Sequence, residues 1–263
     1  MLNLEYLLEE AESNGLPTLK RRAILREYLQ TIILNGIYVS DLSKKIYFMG
    51  GTALRFFYNL PRFSEDLDFN ASDLNNQRFK ELIRQNVKSA LLKEGFSVEL
   101  SFKQRKKLFM ADLMFKEVVQ QYNITDDQKA TLMIKVEVNC PKWELKTESK
   151  VLSQYGYNFS SILMSRGNLL SEKLSALLNR ERGRDIYDLL FMLKRKFPFN
   201  EGVLKANKIK GNPKEVILQH LNSLTQDKLK HLAEQVRPFL FKEEDVELIL
   251  KAKLYAEKFL ENY

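Results

Sequence analysis

A single cysteine, Cys140, excludes an intramolecular disulfide framework from this 263-residue chain. Two histidines, His220 and His231, are too few beside it for a Cys/His zinc site. Both histidines fall in a helical tail, where a structural or exposed place is expected. Cys140, next to Pro141, has no nucleophile partner in sequence and is expected to be inert. No run approaches the roughly 18–20 consecutive apolar residues of a membrane span. The N-terminus, MLNLEYLLEEAESNG, is acidic and amphipathic, not basic and then apolar as a secretory signal is. Repeats, low-complexity segments and Pro/Gly-rich linkers are missing too. With 44% hydrophobic and 29% charged residues the composition is globular, so disordered and fibrous classes fall away. A soluble cytoplasmic protein of one large or two small domains is expected.

What the chain does have is positive charge, and it is unevenly placed. Residues 1–100 are net neutral, residues 101–200 carry +7 and the remainder +1. The excess clusters at Lys103, Arg105, Lys106 and Lys107, at Arg180, Arg182 and Arg184, and at Lys194, Arg195 and Lys196. One such cluster is ordinarily a solvated surface; three in one stretch point to a phosphate-rich ligand or nucleic acid.

Hydrophobic periodicity predicts helices over 3–13 and 18–35, a strand at 46–49, and a helix over 52–60 stopped by Pro61. A short strand at 67–69 and a helix over 75–94, closed by Gly95, come next. Segments 96–103 and 108–115 alternate across a basic turn and predict a hairpin, and 132–138 predicts a further strand. After a less regular strand region at 145–164, helices are expected over 168–179, 184–196, 200–207, 213–222, 225–238 and 243–261. The order is helical, then mixed α/β, then all-α, with a change of character near residue 165.

The chemistry concentrates in Met49-Gly50-Gly51-Thr52-Ala53-Leu54-Arg55 and Arg62-Phe63-Ser64-Glu65-Asp66-Leu67-Asp68-Phe69. A strand delivers two glycines to a helix start, where bare backbone and the positive end of the helix favour an anion. Asp66 and Asp68, two apart on a strand, point to one face. Adjacent carboxylates repel unless a cation lies between them, and Mg²⁺ completed by substrate phosphates is the natural occupant. Glu137, within Val136-Glu137-Val138, is the best-placed third carboxylate. Two ions held by three carboxylates would clamp the attacking and leaving oxygens of a phosphoryl transfer. Arg55 and Arg62 would contact phosphates or pair with Glu65. Trp143, Tyr155 and Tyr157 are expected to pack rather than to stack on a base.

These two segments resemble the signature of the AbiEii/AbiGii-type nucleotidyltransferases, in the DNA polymerase β-like superfamily, many of them toxins of toxin–antitoxin or phage-defence pairs. Leu170-Ser171-Glu172-Lys173-Leu174-Ser175-Ala176-Leu177 and Arg184-Asp185-Ile186-Tyr187-Asp188-Leu189 resemble later motifs of the family, so the likeness covers about residues 46–190. The resemblance implies an α+β fold: a polymerase β-like nucleotidyltransferase core of mixed sheet with flanking helices, at 1–165 with the N-terminal helices. A helical C-terminal domain at 166–263 would contribute Lys173 and Asp185 to the site. It implies that Gly50, Gly51 and Thr52 cradle the triphosphate of an NTP, with Ser64 beside it or itself an acceptor. Asp66 and Asp68 would bind Mg²⁺, and Lys173 would offer a point charge to the phosphates. Asp185, as general base or by holding Lys173, would assist catalysis, and Asp188, one turn on, could share that role. The implied activity is Mg²⁺-dependent transfer of NMP to an acceptor hydroxyl, with the 3′ end of tRNA or another RNA as acceptor. An antitoxin would be a separate protein. Transfer to a protein hydroxyl, including Ser64 itself, is the alternative within the fold; a nucleotide-binding module without catalysis or a pure interaction protein lies outside it.

Overall fold

Strand β1 (Ile46–Met49), which ends at the paired glycines, lies inside a mixed seven-stranded sheet. Its companions are β2 (Leu67–Ala71), β3 (Glu99–Arg105), β4 (Leu108–Phe115), β5 (Leu132–Asn139), β6 (Thr147–Gln154) and β7 (Tyr157–Met164), in the order β3-β4-β5-β2-β1-β7-β6. β1 runs antiparallel to β2 and parallel to β7, and β2 runs parallel to β5. Residues 1–125, 127, 129–261 and 263 are described by this computed structural model. They form two units: a sheet unit of Met1–Phe57, Ser64–Pro141 and Thr147–Leu163, and a helical unit of Tyr58–Phe63, Lys142–Lys146 and Met164–Tyr263.

Period-two alternation decides what each face of the sheet carries. On β5, Leu132, Ile134, Val136 and Val138 are buried, while Lys135 and Glu137 lie on the other face, partly exposed. On β2, Leu67, Phe69 and Ala71 are buried and Asp68 shares the face of Glu137. The core of this unit includes α2 (Arg21–Tyr38), with Ile24, Leu25, Tyr28, Leu29, Ile32 and Ile33 fully buried. Gly36 of α2 lets a neighbouring backbone come close: a Cβ there would lie 3.0 Å from the Cα of Val87. The remaining helices of the sheet unit are α1 (Leu4–Ser13), α3 (Gly50–Tyr58, whose last residue falls in the helical unit), α4 (Asn76–Glu81), α5 (Lys88–Lys93) and the short α6 (Val118–Gln121).

Most elements match the sequence expectation within a few residues, and the α+β class holds. In the sheet unit three differ for visible reasons. The helix expected over 75–94 contains a π-helical stretch, Leu82–Val87, facing the close approach at Gly36. The irregular 145–164 region is a hairpin; β6 is a mostly exposed edge strand, so its alternation is weak, and Tyr155-Gly156 turn it with φ of 49° and 76°. α3 begins at Gly50 itself, because φ of 79° there turns the chain from strand to helix without a loop.

The helical unit holds α7 (Arg166–Asn179), α8 (Gly183–Lys194), α9 (Glu201–Ala206), α10 (Pro213–Ser223), α11 (Gln226–Val236), α12 (Glu247–Leu250) and α13 (Ala252–Leu260). The helix expected over 243–261 is broken into a 3₁₀ turn at Glu243–Val246, α12 and α13. Leu170, Leu174, Ile186, Leu189 and Leu193 form part of its core. A strip of chain, Pro61–Phe63, is clamped into this unit. Arg62 bridges Leu240, the Phe63 N–H donates to the Phe239 carbonyl at 2.8 Å, and the Phe241 N–H donates to the Pro61 carbonyl at 3.1 Å. Among the described residues no helix is long and apolar enough to cross a membrane.

Candidate active site

In the sheet unit the paired glycines and the acidic strand meet directly. Met49 is the register partner of Asp68, so the residue after Met49 is brought against that side chain. A Cβ on Gly50 would overlap the carboxylate of Asp68 and lie 2.9 Å from its Cβ. Glycine is therefore required twice over, by the positive φ and by the acid that fills the space. Gly51 and Thr52 continue α3, whose first-turn N–H groups have no acceptor within the helix. Thr52 is fully buried, and its hydroxyl donates to the Asp66 carbonyl at 2.5 Å. It acts as a clamp on the acid segment, a contact the triphosphate-cradle expectation did not contain.

The loop before the acids is held from α2. Gln30, fully buried, donates to the carbonyls of Ser64 and Glu65 at 3.1 and 3.0 Å. Arg26 pairs with Glu65 at 3.3 Å. Ser64 is buried, so its hydroxyl is poorly placed as an acceptor. Asp66 stands just before β2, and Asp68 pairs in register with Glu137 on β5. Glu137 also meets Lys135 at 3.7 Å. Oxygen-only donors of this kind suit Mg²⁺ chemically. Among the described residues, however, no three His, Cys, Asp or Glu side chains are grouped to hold a metal ion. The sheet register assembles the pair Asp68–Glu137, not a closed trio with Asp66.

Lys173 on α7 and Asp185 and Asp188 on α8 lie in the helical unit, joined by Arg62 of the clamped strip. The Lys173 ammonium meets Asp188 at 2.8 Å and Asp185 at 3.0 Å. Arg62 grips both oxygens of Asp188, Nε to Oδ1 and Nη2 to Oδ2, each at 2.7 Å, and its Nη1 donates to the Phe63 carbonyl at 2.8 Å. Arg180 reaches the second oxygen of Asp185 at 3.2 Å. Burial sets the energetics: Arg62 and Asp188 are at most 1% exposed and Lys173 is 10% exposed. Burial alone would push Asp188 up, but Arg62 and Lys173 hold it below its ordinary value. Burial alone would push Lys173 down, but Asp188 and then Asp185 hold it above. Arg62, Lys173 and Asp188 therefore stay charged at neutral pH.

The arginines correct one sequence expectation. Neither pairs with Glu65: Arg55 pairs with buried Glu27 at 2.8 Å, Arg62 with Asp188, and Glu65 with Arg26. The guanidinium of Arg62 is committed on every nitrogen, so it is not a phosphate contact. Gln30, Arg26 and the Arg62–Asp188 link were missed, since no local spacing connects residues 34 to 126 positions apart. Tyr155 and Tyr157 pack as expected, Tyr155 buried against Tyr28 and Tyr157 donating to Glu94.

The sequence profile described as nucleotidyl transferase AbiEii toxin, type IV TA system, matches residues 32–253, which span both units. The chain belongs to the AbiEii nucleotidyltransferase toxin family. It is thus a nucleotidyltransferase by family, of the toxin–antitoxin kind. Among solved structures, MenT4, a nucleotidyltransferase toxin from Mycobacterium tuberculosis, is similar at 16% identity and TM-score 0.60, over 97% of this chain and 90% of that one. JHP933 from Helicobacter pylori is similar at 21% identity and TM-score 0.56, over 92% and 93%. At such identities the likeness is one of fold. Comparison with curated proteins finds no match.

Proposed function

We propose that this AbiEii-family chain transfers a nucleoside monophosphate from an NTP to an RNA hydroxyl, with the 3′ end of tRNA as favoured acceptor and growth inhibition as the outcome. The observation that carries it is the seat of Asp68, against the helix-opening Gly50 on one strand and in register with Glu137 on another. Such a seat joins an anion-favouring helix start to a pair of hard oxygen donors. Asp68 and Glu137 are the pair that would hold Mg²⁺, with Asp66 the third donor that the family motif implies; the ion when bound would neutralise phosphate charge and lower the barrier to displacement at the α-phosphorus.

The chain's own groups then have separate tasks. Gly50 and Gly51 would offer the helix-opening N–H groups to the phosphates, Gly50 also leaving room for the Asp68 carboxylate. Thr52 and Gln30 fix the backbone on either side of Asp66, so the acids need no reorganisation as charge develops. Lys173, in the helical unit, would supply a compact cation for phosphate. Asp185 has one oxygen on Lys173 and the other on Arg180, which favours holding Lys173 over acting as general base. The exposed cations at Lys103, Arg105, Lys106 and Lys107 of the sheet unit, or those at Lys194, Arg195 and Lys196 of the helical unit, would meet phosphates of the acceptor.

The test is incubation with Mg²⁺, each α-labelled NTP in turn, and total RNA. Ribonuclease-sensitive label is expected. Label that migrates with protein and survives ribonuclease would establish protein nucleotidylation instead, which the burial of Ser64 disfavours at that residue.

A further inference from the structure

We infer that Arg62 is a positioning residue that offsets the charge of Asp188, so that the cluster around Lys173 is not net negative and the lysine can present its positive charge to a triphosphate. The inference rests on the nucleotidyl-transfer function proposed for Lys173. One lysine set between two carboxylates is a cluster of charge −1, which would repel a polyanion. Arg62 brings that sum to zero, and Arg180 on the far oxygen of Asp185 brings it to +1. The two arginines are not equivalent. Arg180 is 52% exposed, so water and salt screen its charge, whereas Arg62 is 1% exposed and acts almost unscreened.

The geometry supports offset in place rather than direct contact. Arg62 takes both oxygens of Asp188 in a fork, and Oδ2 is shared between Arg62 Nη2 at 2.7 Å and Lys173 Nζ at 2.8 Å. Lys173 therefore competes for a carboxylate already neutralised and is held in position without being cancelled. The backbone clamp of Pro61–Phe63 on Phe239–Phe241 keeps the guanidinium there independently of the ion pair.

The experiment measures binding of the full chain, with Mg²⁺, to the α,β-imido analogues of ATP, GTP, CTP and UTP, using the tightest, with folding checked by circular dichroism. Lys173→Met should weaken binding at least tenfold, and Arg62→Met about tenfold. Arg62→Lys, which keeps the charge and loses the fork, should stay within about threefold of wild type although less stable. Asp188→Asn should bind as tightly as wild type or tighter, and Arg62→Met/Asp188→Asn should regain most of the affinity that Arg62→Met loses. If Lys173→Met weakens binding while Arg62→Met does not, or if Arg62→Lys falls as far as Arg62→Met, the offset is refuted. Should Arg62→Met not fold, Asp188→Asn decides alone: weaker binding than wild type refutes it. Unchanged binding by Lys173→Met would instead remove the role given to Lys173, and the inference with it.

Discussion

Asp68 occupies the space that a side chain on Gly50 would need, with its Cβ 2.9 Å from where that side chain would start. The helix-opening backbone and the acid strand are thus built as one object, and a change at either should be felt at the other.

Gly50→Ala should therefore reduce transfer more than tenfold, because it displaces the Asp68 carboxylate as well as straining a backbone at φ of 79°. Gly156→Ala is the matched control, with φ of 76° and open space around it. Both should lose about 1–2 kcal/mol of stability from the left-handed backbone, but only the first should lose transfer. Thermal unfolding and a transfer assay on the two variants check this.

Arg62→Met leaves Asp188 buried with Lys173 as its remaining close cation. Breaking a buried ion pair from one side costs about 3–5 kcal/mol, so the urea midpoint should fall markedly. The surface pair Lys251–Glu247, on half-exposed side chains, should barely matter when broken by Lys251→Ala.

The same cluster sets a pH window. Asp188 is depressed below its ordinary 3.8, so its contribution to stability is present above that pH and is lost as pH falls through the lower folded value. Lys173 is raised above 10.5, so its contribution is complete below that pH and is lost as pH rises through the folded value. The stability difference between wild type and Asp188→Asn should be flat from about pH 5 to 9 and shrink below about pH 4. Urea unfolding across that range checks it; a change in the difference between pH 6 and 8 would contradict the assignment.

Cys140 is half-buried, and burial pushes its thiol up. Thiolate being the reactive form, iodoacetamide at pH 8 should label it several-fold more slowly in the folded chain than in urea. Cys140→Ser should leave transfer unchanged.

That Glu137 lies on a strand neighbouring the acids was legible, because alternation in Leu132–Asn139 and in Leu67–Phe69 marks both segments as strands; its register against Asp68 was not, since alternation fixes a face and not a partner. Glycines at a strand-to-helix joint were legible for the same local reason. What stayed hidden is long-range. Nothing near Arg62 announces Asp188, 126 residues on, and Glu65, three residues away, was the obvious partner until Arg26 took it. Edge strand β6 was faint because its less exposed face carries Glu148, Lys150 and Gln154 beside Leu152, so polarity does not follow the alternation in burial. The clamp of Pro61–Phe63 on Phe239–Phe241 is a backbone pairing between distant segments, which side-chain patterns do not encode.

The most direct test is the rate of α-labelled nucleotide transfer to RNA by wild type, Asp66→Asn and Asp68→Asn, with Mg²⁺ present and folding verified. Wild type should label RNA and release pyrophosphate, and each variant should be slower by at least about a hundredfold, as loss of a charge-stabilising group in the transition state implies. Equal rates in all three proteins would contradict a catalytic role for the acid pair.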